Sequence, residues 1–173
     1  MRKTRDWLMA LGYVALIYAT LEIARLPLAF LRSHGWLRIS LGISFALTSI
    51  GIVTLALRQH GFSLWRLAAL AGIGGVYYFA ARTVQTPEEQ IHFFEYGLVG
   101  FFFLRAVRHH LKNNVNAYAA AAALACLAGW VDELLQGLLP HRHYDIHDVR
   151  LNAISATLGL LIVFILKPSN STR

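Results

Sequence analysis

The chain of 173 residues is poor in charge, in proline and in cysteine. Only 14% of its residues are Asp, Glu, Lys or Arg, whereas 57% are apolar and the mean hydropathy is +0.50. This scarcity of charge excludes an ordinary water-soluble globule and a disordered chain. Cys126 has no second cysteine to pair with, so a disulfide-rich secreted fold is excluded as well.

Long apolar runs account for most of the sequence. Five of them hold no Asp, Glu, Lys or Arg apart from Glu95 in one, and they cover residues 39–57, 67–81, 90–104, 113–131 and 151–166. A sixth segment, 7–31, is apolar but carries Glu22 and Arg25. Each approaches the roughly 20 residues that cross about 30 Å of hydrocarbon. The sequence therefore predicts an all-α fold, a polytopic transmembrane bundle of about six helices that forms one domain over residues 1–173.

The formal net charge of +7 comes from basic residues that lie between the apolar runs. Lys and Arg in such positions set membrane orientation, whereas a nucleic-acid footprint needs a basic face on a soluble domain. We therefore expect no nucleic-acid partner. If both termini lie in the cytoplasm, ten Lys and Arg fall inside and five outside. This imbalance favours an N-in, C-in topology.

Small residues four positions apart indicate where membrane helices pack closely. Lipid supplies no hydrophobic drive between helices, so close backbone approach must contribute much of their association. The pairs that we expect at helix contacts are Ala68 with Gly72 and Ala119 with Ala123.

Polar and ionisable residues gather near one end of three consecutive predicted helices. In the N-in topology this is the outer end, because 90–104 runs inward and 113–131 runs outward. Glu22, three residues before Arg25, could join them. The candidate site residues are His92, Glu95, Tyr96, Asp132, Glu133, Gln136, Arg142, Asp145, Asp148 and Asn152.

The acids in this set are costly beside hydrocarbon unless they are paired, protonated or in contact with a wet cavity. Their convergence therefore predicts a functional site by default. A purely structural polar network is the alternative. In that case Asp145 would cap the last helix, and Arg142 would neutralise Asp148.

Several of these residues form short motifs in a fixed order. They are His92-Phe93-Phe94-Glu95-Tyr96, Asp132-Glu133-Leu134-Leu135-Gln136, Pro140-x-Arg142, Asp145, Asp148-Val149 and Asn152. Over the segment 88–159 this order resembles that of VanZ-like membrane proteins. Two positions depart from the family pattern: Glu88-Glu89-Gln90 stands where a lysine is often found, and Ser155 where glycine is usual. The resemblance implies a bacterial inner-membrane protein of the cell envelope, in a family associated with glycopeptide antibiotic resistance.

A binding role is the first hypothesis for the site. Arg142 could hold the phosphate or carboxylate of an envelope lipid or lipid-linked precursor at the outer leaflet. Gln136 and Asn152 would orient this head, with Tyr96, Asp132, Asp145 and Asp148 completing the substrate-binding set. The apolar walls would then hold the tail of the lipid.

A membrane-embedded hydrolase or transferase is the second hypothesis, with His92, Glu95 and Glu133 as its catalytic residues. His92 could act as general base or acid, and one of the two carboxyl groups could orient it. A channel or transporter also stays open, because acids and histidines form proton relays as well.

Imidazole and carboxylate groups also suit zinc or manganese. The ligands would be His92, Glu95 or Glu133, and Asp145 or His143. Because the sequence contains no His-Glu-x-x-His signature, we expect no bound metal and no cofactor.

Overall fold

The computed structural model describes residues 1–84, 87–140 and 142–167, apart from the side chains of Arg25, Pro87 and Glu88. All regular structure in these ranges is helical: α1 (Arg2–Thr20), α2 (Arg25–Ser33), α3 (Trp36–His60), α4 (Leu64–Thr83), α5 (Ile91–Val107), α6 (Asn114–Gly137) and α7 (Ile146–Leu166). A one-turn 3₁₀ helix, Pro87–Gln90, leads into α5. In the described part of the chain, four helices are long and apolar enough to span a membrane: α3, α4, α6 and α7. The predicted all-α fold is confirmed, and the length and composition of these helices support a multi-pass membrane protein.

The segment 7–31, predicted as one helix, is divided into α1 and α2 by a turn at residues 21–24. Pro27 explains the division. Its ring would clash with the carbonyl group four residues earlier in a continuous helix, but it is tolerated in the first turn of a new one. The other five predicted segments overlap α3 to α7 in order.

Helix α5 lies at the centre of the bundle and packs against α1, α6 and α7. Glycine residues allow the backbones of α5 and α7 to come into direct contact. A Cβ atom placed on Gly159 of α7 would lie 2.7 Å from Cα of Gly97 in α5, and one on Gly100 would lie 3.0 Å from the Ala156 carbonyl oxygen. On the α6 side, a Cβ atom on Gly129 would lie 2.7 Å from Cβ of Asn152. These contacts bring three helices together where the polar motifs lie.

The helix contacts predicted from small-residue spacing are wrong. Ala68, Gly72, Ala119 and Ala123 are all exposed. The buried face of α6 instead begins with Ala117, Ala121 and Ala125 and continues to Gln136. Four-residue spacing occurs on more than one face of an alanine run, so it cannot select the face that packs.

A polar contact ties the start of α1 to the end of α5, at the opposite end of the bundle from the polar motifs. Nη2 of Arg105 donates to Oδ1 of Asp6 over 2.9 Å, and Nε2 of His109 lies 2.8 Å from Oδ2. The hydrogen bond with His109, together with the positive charges of Arg105 and Arg5, lowers the pKa of Asp6. Asp6 is therefore ionised at neutral pH and stabilises the α1–α5 contact.

We expect Gly159→Ala to lower the free energy of unfolding by about 1–3 kcal/mol, because the added methyl group forces α5 and α7 apart. Thermal unfolding of the purified protein in detergent measures the change. Gly72→Ala is the matched control, since a Cβ atom there meets nothing within 4 Å. It should leave stability unchanged or raise it through helix propensity. Equal stability of the two variants would contradict the close α5–α7 contact.

Candidate functional site

The candidate site is formed where α5 begins, α6 ends and α7 begins. His92 and Glu95 lie in the first turns of α5, whereas Asp132, Glu133 and Gln136 lie in the last two turns of α6. Asp132 and Glu133 are 0% exposed and Gln136 is 2% exposed. The structure places every site residue predicted from the sequence at this end of the bundle. A polar cluster is therefore buried among apolar helices.

Gln136 connects the acids of α6 to the loop that follows. Its Nε2 donates to Oε1 of Glu133 over 2.9 Å and to Oδ2 of Asp132 over 3.4 Å. Its Oε1 accepts from Nη1 of Arg142 over 3.1 Å. The shared face predicted from the three- and four-residue spacing is confirmed, and a single amide joins two carboxyl groups to a guanidinium group.

Arg142 is half-buried at the rim of the cluster. Besides its bond to Gln136, its Nη2 donates to the backbone carbonyl of Leu21 over 3.4 Å, in the turn between α1 and α2. The side chain of Glu22, the next residue, is exposed, and the side chain of Arg25 lies outside the described residues. The first helices thus contribute a backbone acceptor that holds Arg142 in place.

His92 lies deep in the cluster and is 8% exposed. Its Nδ1 lies 3.8 Å from Oε2 of Glu95 and 3.9 Å from Oδ2 of Asp132, beyond hydrogen-bond distance. The ring stacks on Tyr96 at a centroid distance of 6.0 Å. Nδ1 is buried and has no hydrogen-bond partner in the described part of the chain. A buried imidazole nitrogen in this state is available to a ligand.

Two residues of the predicted set have clear structural roles. Asp145 caps α7, because its Oδ1 accepts from the backbone N–H of His147 over 2.7 Å. Its own N–H donates to Oε2 of Glu133 over 3.4 Å. Asn152 is fully buried, and its Nδ2 donates to the Gly129 carbonyl over 3.3 Å at the α6–α7 contact. The capping role that the sequence suggested for Asp145 is confirmed.

Asp148 brings α7 into the cluster. One of its carboxylate oxygens, one carboxylate oxygen of Glu133 and one ring nitrogen of His92 all lie within 4.8 Å of one another. His141, the loop residue next to Arg142, lies outside the described residues. The described part of the cluster therefore contains one imidazole group, one guanidinium group and the carboxyl groups of Glu95, Asp132, Glu133, Asp145 and Asp148.

Sequence reasoning missed the part of α1 that supports the site. The hydroxyl group of Tyr18 donates to the Ala128 carbonyl over 2.6 Å, one turn before Asp132. This bond holds α1 against α6. No spacing rule identifies Tyr18, because the bond depends on how α1 packs against α6 and the turn at residues 21–24 ends the helix before Glu22.

Comparison with known proteins gives one family match. The sequence model of the family described as VanZ/LLP1 matches residues 75–167. This range includes the end of α4, all of α5, α6 and α7, and the whole segment 88–159. No curated protein and no solved structure matches the chain.

We expect Gln136→Leu to destabilise the protein by about 1–3 kcal/mol, because it removes the donor shared by two buried carboxyl groups. Gln59→Leu makes the same substitution at an exposed position of α3 and should leave stability nearly unchanged. Thermal unfolding in detergent compares the two variants. If Gln136→Leu were as stable as Gln59→Leu, the hydrogen-bonded cluster would not exist in the folded protein.

Proposed function

The chain belongs to the VanZ/LLP1 family, and on this premise we propose that it binds the anionic head of an envelope lipid or lipid-linked precursor. The binding site is the polar cluster, at the outer leaflet of the bacterial inner membrane. Binding of a cell-envelope precursor would connect the protein to glycopeptide antibiotic resistance.

The observation that carries the proposal is the position and hydrogen bonding of Arg142. It is half-buried, at the rim of the cluster, and its orientation is fixed by Gln136 and the Leu21 carbonyl. These two hydrogen bonds use two of the five N–H donors of a guanidinium group. The planar, always charged group pairs with the oxygens of phosphate or carboxylate in a bidentate manner. An anionic head is therefore the natural ligand.

An apolar cavity next to the cluster supports a ligand with a hydrocarbon tail. It has a volume of about 670 Å³ and lies between α3, α4, α5 and α7. Phe93 and Phe94 line its wall on α5, directly between His92 and Glu95 in the sequence. One helix thus presents polar groups to the cluster and aromatic groups to the cavity. The cavity would hold an acyl or prenyl tail while the head contacts Arg142.

The distribution of basic residues supports the outer position of the site. The opposite end of the bundle carries Arg5, Arg105, Arg108, Lys112 and Lys167, close to the Asp6 contact. Excess Lys and Arg mark the cytoplasmic side of a membrane protein. The polar cluster would then lie near the outer headgroups, where envelope precursors are used.

A second candidate function is hydrolysis or group transfer on a lipid-linked substrate. His92 favours it, because its unpaired Nδ1 lies near the carboxyl groups of Glu95 and Asp132. His92 would take a proton from the attacking water, and Glu133 would supply a proton to the leaving group. Turnover of a phosphate ester that His92→Gln abolishes would distinguish an enzyme from a binding protein.

We expect Arg142→Ala to weaken binding of a polyprenyl phosphate about 10- to 100-fold, the equivalent of one or two charge-assisted hydrogen bonds. Binding to the detergent-purified protein is measured by native mass spectrometry, with the matching polyprenol as the uncharged probe. Arg150→Ala removes an exposed guanidinium group from the same end of α7 and is the control. Equal affinities of the two variants, or equal binding of both probes by the wild type, would refute the proposal.

Substitution of two glycines in α4 tests whether the cavity holds the lipid tail. Gly74 lines the cavity whereas Gly72 does not, and a Cβ atom meets nothing within 4 Å at either position. We expect Gly74→Phe to fill the cavity and to weaken binding of a long-chain polyprenyl phosphate more than that of a short-chain one. Gly72→Phe should change neither affinity. If the two variants behave alike, the tail binds elsewhere.

A further inference from the structure

His92, Glu133 and Asp148 form a compact group at the junction of three helices. One ligand atom from each lies within 4.8 Å of the other two. A tetrahedral ion with bonds of about 2.0–2.2 Å holds its ligand atoms about 3.4 Å apart, so the group needs to close by little more than an ångström. Asp148 is the least buried of the three and its side chain can move most easily. α5, α6 and α7 would each supply one ligand.

His92 provides an observation independent of the acids. It is 8% exposed, yet its Nδ1 is buried without a hydrogen-bond partner. Buried polar atoms are nearly always hydrogen-bonded, so an exception calls for an explanation. The lone pair of a neutral imidazole nitrogen is the commonest metal ligand in proteins. A cation bound at Nδ1 would satisfy this atom, and a cation bound at Nε2 would leave the Nδ1–H directed at the carboxyl groups of Glu95 and Asp132.

The charge of the cluster also fits a cation. Among the described side chains of the cluster, five carboxyl groups are opposed by the guanidinium group of Arg142, in surroundings where uncompensated charge is costly. Arg142 itself would repel a cation. Its hydrogen bonds to Gln136 and to the Leu21 carbonyl hold the guanidinium group at the rim of the cluster, and the carboxyl groups of the cluster outnumber it.

The hydrogen bonds of Glu133 match those of a metal ligand. Its Oε1 accepts from Gln136 and its Oε2 accepts from the backbone N–H of Asp145. Carboxylate ligands are typically oriented by such outer partners, and each oxygen keeps a second lone pair for the ion. Gln136 would thus connect the ion to Arg142.

We propose that His92, Glu133 and Asp148 bind a divalent transition-metal ion, with Zn²⁺ as the best fit to one imidazole and two carboxylate groups. Three protein ligands leave a coordination position open for water or for an oxygen of the anionic head. The inference deepens the proposed function, on which it rests for the identity of that head. The sequence predicted no metal, because ligands from three separate helices form no short sequence signature.

Isothermal titration of the chelator-treated, detergent-purified full chain with Zn²⁺, without added lipid, tests the proposal. We expect one saturable Zn²⁺ site per chain. His92→Gln and Asp148→Asn should each weaken the affinity at least about tenfold. His147→Gln, which removes an exposed neighbour of Asp148, should leave it unchanged. Zn²⁺ should also raise the unfolding temperature of the wild type but not that of Asp148→Asn. This second measurement tests the site even if His92→Gln does not fold.

Three results would overturn the metal site: no saturable Zn²⁺ binding by the folded wild type, equal weakening by His147→Gln, or tighter binding of Mg²⁺ than of Zn²⁺. Failure of the metal site is distinguishable from failure of the proposed function. If the protein binds polyprenyl phosphate in the presence of chelator but shows no Zn²⁺ binding, only the metal site is refuted. Zn²⁺ binding without any polyprenyl phosphate binding would refute the lipid-binding role alone.

Discussion

Acidic side chains that lie between apolar helices must be paired, hydrogen-bonded, protonated or bound to a ligand. This constraint organises the end of the bundle where α5, α6 and α7 meet. The Gln136 side chain supplies part of the required hydrogen bonding, because it donates to Asp132 and Glu133 and accepts from Arg142. The Asp145 N–H meets another part at Glu133. Among the described residues, Nδ1 of His92, the Tyr96 hydroxyl group, Oδ1 of Asp132 and Oδ1 of Asn152 have no hydrogen-bond partner. These unsatisfied atoms favour the proposed binding site over a closed structural network.

The cluster depends on close backbone packing between the helices that carry its polar groups. Gly97, Gly100 and Gly159 bring α5 and α7 together, and Gly129 brings α6 against Asn152. Any separation at these contacts would move His92 away from Asp148, because the two residues are carried by different helices. The glycines are therefore part of the site, although none of them has a side chain that can bind. The family match from residue 75 to 167 covers both the glycines and the polar residues.

Local spacing predicted much of the site, because it depends only on the geometry within a helix. Residues three and four positions apart share a face of any α-helix, so Gln136 had to lie beside Asp132 and Glu133. Asp145 directly precedes a helix, where an N-cap residue is expected. The meeting of His92 with Asp148 could not be predicted, since it depends on how α5 crosses α7. The packing face of α6 was ambiguous for a similar reason, as alanines recur on several of its faces. The division of the first segment, by contrast, could have been predicted from Pro27, because proline interrupts a continuous helix.

The most direct test of the account is a structure of the protein in a lipid nanodisc with a polyprenyl phosphate added. The account predicts density for the phosphate group against Arg142 at the junction of α5, α6 and α7, and density for the tail in the apolar cavity. It is contradicted if the acids contact only one another and the lipid binds elsewhere on the bundle.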